Sequence, residues 1–174
     1  MKFNKIIAAV SLSFLASTAM ASGSHSSGHD KTKATDKAQA IGKAGKASKV
    51  TRTISVDMTD AMRFIPASID VKRGETIKFV VKNSGQVRHE MNIGTMKDLI
   101  AHAELMKKNP GMEHDEPNVT SLAPGKTGEI IWHFTTAGKV DFACLQAGHF
   151  DAGMKGFVNV GNTKVSAKSS SHAH

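Results

Sequence analysis

Short segments of alternating apolar and polar residues, separated by Gly-containing turns, occupy most of the chain between residues 51 and 160. Alternation with a period of two predicts half-buried β-strands. The predicted strands cover residues 51–58, 64–71, 75–82, 89–93, 128–135, 139–144 and 156–160. Strands this short and this closely spaced favour a Greek-key sandwich or barrel.

One segment departs from the β pattern and predicts a helix. Its apolar residues recur at helical spacing: Met96, Leu99, Ile100, Ala103 and Met106. Thr95 is a suitable N-cap, and the Asn-Pro-Gly stretch at 109–111 ends the pattern. We therefore predict an all-β fold with one inserted α-helix at about 96–108. Met96 and Met106 are expected to form the buried face of the helix, and a polar loop to follow over about 109–126.

The N-terminal residues predict a secretory signal peptide over residues 1–21. Lys2 and Lys5 precede an apolar stretch at 6–16, and Ala-Met-Ala at 19–21 has the small-x-small pattern of a cleavage site. The apolar stretch is shorter than the ~20 residues that span a bilayer, and no later stretch qualifies. We expect an exported protein without a membrane span, located in a bacterial periplasm.

The formal net charge of +8 lies outside the predicted domain. Residues 22–49, rich in Ser, Gly, Ala and Lys, predict a disordered arm, and residues 162–174 a flexible His-containing tail. The domain between them, residues 50–161, holds 13 basic and 13 acidic residues. Because a nucleic-acid-binding module needs clustered Lys and Arg, the neutral domain argues against a nucleic-acid partner.

The single cysteine lies in a pattern that is typical of a metal site. Cys144, His149 and Met154 form C-x4-H-x4-M within a Gly-containing loop between two predicted strands. Thiolate, imidazole and thioether are a soft donor set that selects copper. Two His, one Cys and a weak axial Met are the ligands of blue copper centres, so one more imidazole is required.

Two histidines are candidates for the remaining ligand. His89 follows the Asn-Ser-Gly turn at 83–85, where a neighbouring strand could bring it to the Cys loop. His133 lies within a predicted strand beside Trp132, where packing on the sheet or exposure is the expected role. We favour His89.

These residues give the chain a resemblance to the cupredoxin family, the plastocyanin/azurin-like copper proteins. It extends over about residues 63–160 and includes FIPASIDVKRGETIKFVVKNSG, RHEMNIG and the C-x4-H-x4-M loop. The resemblance implies one type 1 copper with His89, Cys144 and His149 as equatorial ligands and Met154 as the axial ligand. Many members carry Asn directly after the first His, where it braces the Cys loop, whereas Glu90 occupies that position here.

Within the family the chain is most similar to the periplasmic cupredoxins of copper tolerance. We expect copper binding with one-electron Cu(II)/Cu(I) redox in copper homeostasis, and no enzymatic activity. The alternative function is a soluble electron shuttle to a periplasmic oxidoreductase; a redox or copper-handling partner fits either role. A Cys/His hydrolase would leave Met154 unexplained and lacks an evident third orienting residue.

Other soft donors suggest additional copper binding. Met112 and His114 lie in the polar loop and predict a weaker accessory copper site, because thioether and imidazole suit Cu(I). The arm and the tail also carry potential metal ligands, namely His25, His29, His172 and His174.

Overall fold

The computed structural model describes residues 42–109 and 116–164. Within these ranges the chain forms ten β-strands and one α-helix. The strands are β1 (Lys43–Ala44), β2 (Arg52–Thr59), β3 (Arg63–Ile65), β4 (Ser68–Arg73), β5 (Thr76–Asn83), β6 (His89–Gly94), β7 (Val119–Leu122), β8 (Thr127–His133), β9 (Gly138–Ala143) and β10 (Lys155–Lys164). The helix, α1 (Met96–Lys108), is inserted between β6 and β7. The prediction of an all-β fold with one inserted helix is confirmed.

The strands form two five-stranded sheets. One sheet has the order β1-β8-β5-β2-β3 and the other β4-β10-β9-β6-β7. The pairs β2–β5 and β4–β10 are parallel, whereas the remaining pairs are antiparallel. Inward side chains of both sheets, such as Phe79 from β5 and Phe142 from β9, share one buried apolar core. The fold is therefore a sandwich whose stability comes mainly from apolar burial.

The predicted strand 64–71 is wrong as a single element. The chain forms β3 in the first sheet and β4 in the second, with Pro66 between them. Proline has no backbone N–H and cannot donate a hydrogen bond to a neighbouring strand. Strand pairing is therefore interrupted at Pro66, although the alternation of apolar and polar residues continues through it. The chain crosses between the sheets at this position.

Helix α1 begins as predicted but buries a narrower face. The Thr95 hydroxyl accepts a hydrogen bond from the Asp98 backbone N–H at 3.2 Å. Its buried residues are Leu99, Ala103 and Met106. Met106 is buried as expected, whereas Met96 is only half-buried, and Ile100 is 47% exposed although it fits the helical spacing. The helix packs against the sheet along one i, i+4, i+7 stripe, and Ile100 lies outside it.

Regular secondary structure extends beyond the predicted domain bounds at both ends. Lys43 pairs with His133 of β8, and residues 47–49 form one turn of 3-10 helix, although both lie in the predicted arm. The edge of β8 supplies hydrogen-bond partners for these residues; the Ile131 carbonyl, for example, accepts from the Gly45 N–H. The amino-acid composition of the arm gives no sign of this pairing. Strand β10 extends past residue 161, and β7 lies within the predicted polar loop.

Several expectations fall outside the described residues. These are the signal peptide, arm residues 22–41, the end of the tail from residue 165, and the candidate accessory ligands Met112 and His114. In the ranges that are described, no helix has the length and apolar character needed to cross a membrane.

Candidate metal centre

The loop of residues 144–154 connects β9 to β10 and is closed by its own backbone. The Cys144 N–H donates to the Met154 carbonyl at 3.1 Å, and the Met154 N–H donates to the His149 carbonyl at 3.0 Å. Gly148 and Gly153 have φ values of 83° and 93°, which suit glycine better than other residues. These contacts turn the loop so that its three predicted ligands lie in one compact segment.

His89 reaches this loop because it is the first residue of β6. Strand β6 pairs with β9, with Asn92 opposite Ala143, so the start of β6 lies beside the residues that follow β9. The preceding connection is organised by the buried Asn83, whose amide donates to the carbonyls of Val87 and Leu122 at 2.8 and 2.9 Å. A residue 55 positions before Cys144 in sequence is thereby placed next to it.

The donor atoms of His89, Cys144 and His149 converge. The His149 Nδ1 atom lies 3.3 Å from the Cys144 Sγ atom and 3.2 Å from the His89 Nδ1 atom. One ligand atom from each residue lies within 4.8 Å of the other two. Met154 is fully buried in the same core cluster as Cys144. The four residues are positioned as a type 1 ligand set.

His133 lies in a different part of the molecule. It ends β8, pairs with Lys43 and Thr76, and places its Nδ1 atom 3.0 Å from the Thr76 hydroxyl. Thr76 is the first residue of β5, whereas His89 lies just beyond the last residue of β5. His133 is therefore at the opposite end of the sheet and is not part of the cluster.

Glu90 braces the cysteine loop through both its backbone and its side chain. Its N–H donates to the Cys144 Sγ atom at 3.4 Å. Its carboxylate accepts from the Leu145 N–H and from the Gln146 side-chain amide, each at 3.1 Å. The residue is only 2% exposed. A carboxylate thus makes the loop contacts at the position where many family members carry Asn.

A further set of contacts comes from the turn between β2 and β3 and from the first residue of β3. Asp60 Oδ1 lies 2.9 Å from His89 Nε2. The Arg63 side chain donates a hydrogen bond at 3.1 Å to the carbonyl of Ala152, which belongs to the 144–154 loop. Sequence reasoning missed both residues. Neither residue belongs to a sequence motif. The segment that contains them is brought to the site by the pairing of β2 with β5.

The protonation of the site follows from its burial. Burial raises the pKa of the Cys144 thiol to about 12, against the effect of hydrogen bonds from the Glu90 and Gln146 backbones. Burial also lowers the pKa of His149, with a further lowering from the neighbouring His89. The imidazole is consequently neutral at pH 7 and has a lone pair to offer. A metal must displace the thiol proton.

The chemistry of this donor set fits copper. A thiolate, two imidazoles and a thioether are soft to intermediate ligands, which favour copper over Mg, Ca or Mn. Cys144 and His89 are both 0% exposed, which separates these two ligands from bulk water. Hydrogen bonds from outside the cluster orient these ligands, as is usual in metal sites.

Comparison with known proteins gives the same assignment. Residues 50–161 match the model of the copper binding proteins of the plastocyanin/azurin family. The copper-resistant cuproprotein CopI of Rubrivivax gelatinosus is 47% identical over 147 residues, covering 83% of this chain and 89% of that protein. The CopI protein of Pseudomonas aeruginosa is 36% identical, with 70% of this chain and 83% of that protein covered.

Among solved structures, the fold is similar to that of auracyanin from Roseiflexus castenholzii. The TM-score is 0.54 at 23% identity, and the match covers 64% of this chain and 98% of auracyanin. This likeness concerns the fold, whereas the family assignment depends on the family model and the CopI relatives. The chain belongs to the plastocyanin/azurin family of copper-binding proteins.

Proposed function

We propose that the protein binds one copper ion at a type 1 centre formed by His89, Cys144, His149 and Met154. The observation that carries this proposal is the convergence of one donor atom each from His89, Cys144 and His149 within 4.8 Å. Bound copper supplies a one-electron Cu(II)/Cu(I) couple. The protein binds and holds the ion, and we assign it no catalysed transformation.

The residues divide the work of holding the ion. Cys144 would release its proton and hold the ion through a strongly donating thiolate, and the imidazoles of His89 and His149 would hold it with their ring nitrogens. Met154 would offer a weaker thioether, which would adjust the balance between the oxidation states. The fold keeps these side chains in place because the backbones of Cys144, His149 and Met154 are hydrogen-bonded within their loop. His89 is held by the pairing of β6 with β7, where it lies opposite Leu122.

The biological role we propose is copper tolerance in the periplasm. The CopI relatives are named copper-resistant cuproproteins, and one of them matches 83% of this chain. The predicted signal peptide supports export. The four donors offer copper a buried, soft site, which would remove it from unwanted reactions in that compartment.

Gene deletion and complementation test this role. Cells without the gene are expected to grow poorly in elevated copper, and the wild-type gene to restore growth. A Cys144→Ser gene, expressed and exported at the same level, is expected to fail. Restoration of growth by the Cys144→Ser gene would contradict a role for the copper centre in tolerance.

The alternative role, an electron shuttle to a periplasmic oxidoreductase, is favoured by one observation. His149 is partly exposed, whereas His89 and Cys144 are fully buried, so its ring is the edge of the centre that a partner could approach. Unchanged growth in copper after deletion, together with loss of a respiratory activity, would support the shuttle. It would also contradict the tolerance role.

A further inference from the structure

Glu90 places a carboxylate in the protein interior directly against the cysteine loop. The residue is 2% exposed, and both of its carboxylate oxygens accept hydrogen bonds from N–H groups. One donor belongs to Leu145, the residue after Cys144, and the other to the side chain of Gln146. Acceptance at both oxygens is the arrangement that stabilises an ionised carboxylate.

No cation of the described part of the chain forms an ion pair with this carboxylate. The basic side chains that contact the 144–154 loop have other partners: Lys107 pairs with Asp151 and Glu104, and Arg63 donates to the carbonyls of Met62 and Ala152. Lys155 lies over the Phe150 ring at 4.5 Å. The Glu90 carboxylate is held by dipoles rather than by an opposite charge.

This leaves the bound metal as the positive charge that faces Glu90. A buried charge is screened less than an exposed one. With the Cys144 thiolate bound, Cu(II) leaves the metal–thiolate unit with one net positive charge, whereas Cu(I) leaves it neutral. The Glu90 carboxylate therefore stabilises the positively charged Cu(II)–thiolate unit electrostatically and does not stabilise the neutral Cu(I)–thiolate unit.

We propose that the Glu90 carboxylate biases the copper centre toward Cu(II). This inference depends on the proposed copper site. Uptake of one electron by Cu(II) gives Cu(I) with the same protein ligands, and the buried negative charge makes that uptake less favourable. A neutral amide at this position would brace the loop without this electrostatic effect.

The two roles of Glu90 can be separated by Glu90→Gln. Gln has the same length, and its oxygen can accept from the Leu145 N–H. The Gln146 amide can rotate so that its oxygen accepts from the side-chain NH2 group that the substitution introduces. The brace is therefore retained while the charge is removed. Glu90→Asn is a second neutral variant, to be used if the Gln variant does not fold.

The matched control is Asp151→Asn. Asp151 belongs to the same loop and also carries one negative charge, but its side chain is 56% exposed and pairs with Lys107. Water and this ion pair screen its charge from the centre. A general effect of removing one negative charge from the protein would appear equally in this variant.

Spectroelectrochemical titration of the copper-loaded proteins at pH 7 tests the proposal. At a fixed applied potential, Glu90→Gln is expected to raise the Cu(I):Cu(II) ratio by roughly tenfold or more, and tenfold corresponds to about 59 mV for one electron. Asp151→Asn is expected to change the ratio less than threefold. In competition titrations with separate Cu(I) and Cu(II) chelators, the affinity of Glu90→Gln should fall for Cu(II) more than for Cu(I).

Equal ratios in wild type and Glu90→Gln, or a shift no larger than that of Asp151→Asn, would overturn the role of the charge. Loss of both affinities by the same factor would do so too, since a brace alone accounts for it. A wild-type protein without an intense thiolate-to-copper band would instead overturn the proposed site. The two failures are therefore distinguishable.

Discussion

The Asp60 carboxylate lies 2.9 Å from the Nε2 atom of His89, on the opposite side of the imidazole from the Nδ1 atom that faces His149 at 3.2 Å. An ionised carboxylate at Nε2 favours the tautomer in which Nε2 carries the proton. Hydrogen bonds from the Gln86 backbone, and the contact with His89, lower the pKa of Asp60 and keep it ionised at neutral pH. Asp60 therefore leaves the Nδ1 lone pair available for a metal.

Removal of this carboxylate is expected to weaken copper binding. Asp60→Ala should lower copper affinity by roughly 10–100-fold, as is common when the hydrogen-bond partner of a metal-binding His is lost. Competition with a copper chelator at pH 7 measures the change. Asp70→Ala removes a carboxylate whose side-chain partner is Asn159, away from the cluster, and should leave affinity unchanged. An unaltered affinity in Asp60→Ala would show that His89 does not need this partner.

Gly85 provides the space in which Asp60 and His89 meet. A Cβ atom at this position would collide with the Asp60 carboxylate and lie 3.0 Å from His89 Nε2. We expect Gly85→Ala to displace the carboxylate and to reduce copper affinity by a factor similar to that of Asp60→Ala. At Gly161 a Cβ would meet only the Val71 carbonyl at an ordinary 3.6 Å, so Gly161→Ala is the matched control. Equal affinity in the two Gly variants would contradict this explanation.

The Cys144 thiol is expected to make the metal-free protein alkali-sensitive. Its pKa is raised from 9.0 to about 12 by burial, so between these values the unfolded chain has lost a proton that the folded chain retains. The stability contribution is complete below pH 9 and falls as the pH rises, at up to about 1.4 kcal/mol per pH unit. Urea unfolding at pH 8 and pH 10 measures this slope.

Comparison with Cys144→Ser isolates the thiol from other groups that titrate at alkaline pH. The metal-free wild type should lose more stability between pH 8 and pH 10 than the Ser variant. Copper-loaded wild type should not show this extra loss, because the thiol has already released its proton to bind the metal. Identical slopes in the two metal-free proteins would refute the prediction.

Helix α1 supports the copper loop through its apolar contacts. Leu99 packs in a buried cluster with Ala143 and Leu145, which flank Cys144. Leu99→Ala is expected to reduce the free energy of unfolding by about 2–5 kcal/mol. Lys107→Ala breaks the exposed ion pair with Asp151 and should cost much less stability than Leu99→Ala, because exposed ion pairs are screened by water. Chemical denaturation of the metal-free proteins measures both, and equal costs would argue against a supporting role for the cluster.

The features that could be predicted from the sequence depend on residues that lie close together along the chain. Cys144, His149 and Met154 lie within one loop, so their proximity follows from a short segment that returns into the next strand. The N-cap at Thr95 depends on residues three positions apart. His89 required a further inference, namely that its strand lies beside the strand that ends at the cysteine.

The features that were missed depend on pairings between distant strands. Asp60 is 29 residues before His89 in sequence, and no pattern in its turn indicates that β2 runs beside β5. The crossing between sheets at Pro66 is hidden because the apolar alternation continues through it. Ile100 fits helical spacing, yet its exposure depends on how narrow a stripe the sheet covers.

The visible absorption spectrum of copper-loaded protein tests the central claim most directly. The account predicts an intense thiolate-to-copper band in wild type, with one copper per chain. It predicts complete loss of the band in Cys144→Ser, and its retention in His133→Ala, whose histidine lies at the other end of the sheet. Persistence of the band in Cys144→Ser would contradict the assignment of Cys144 as the copper ligand.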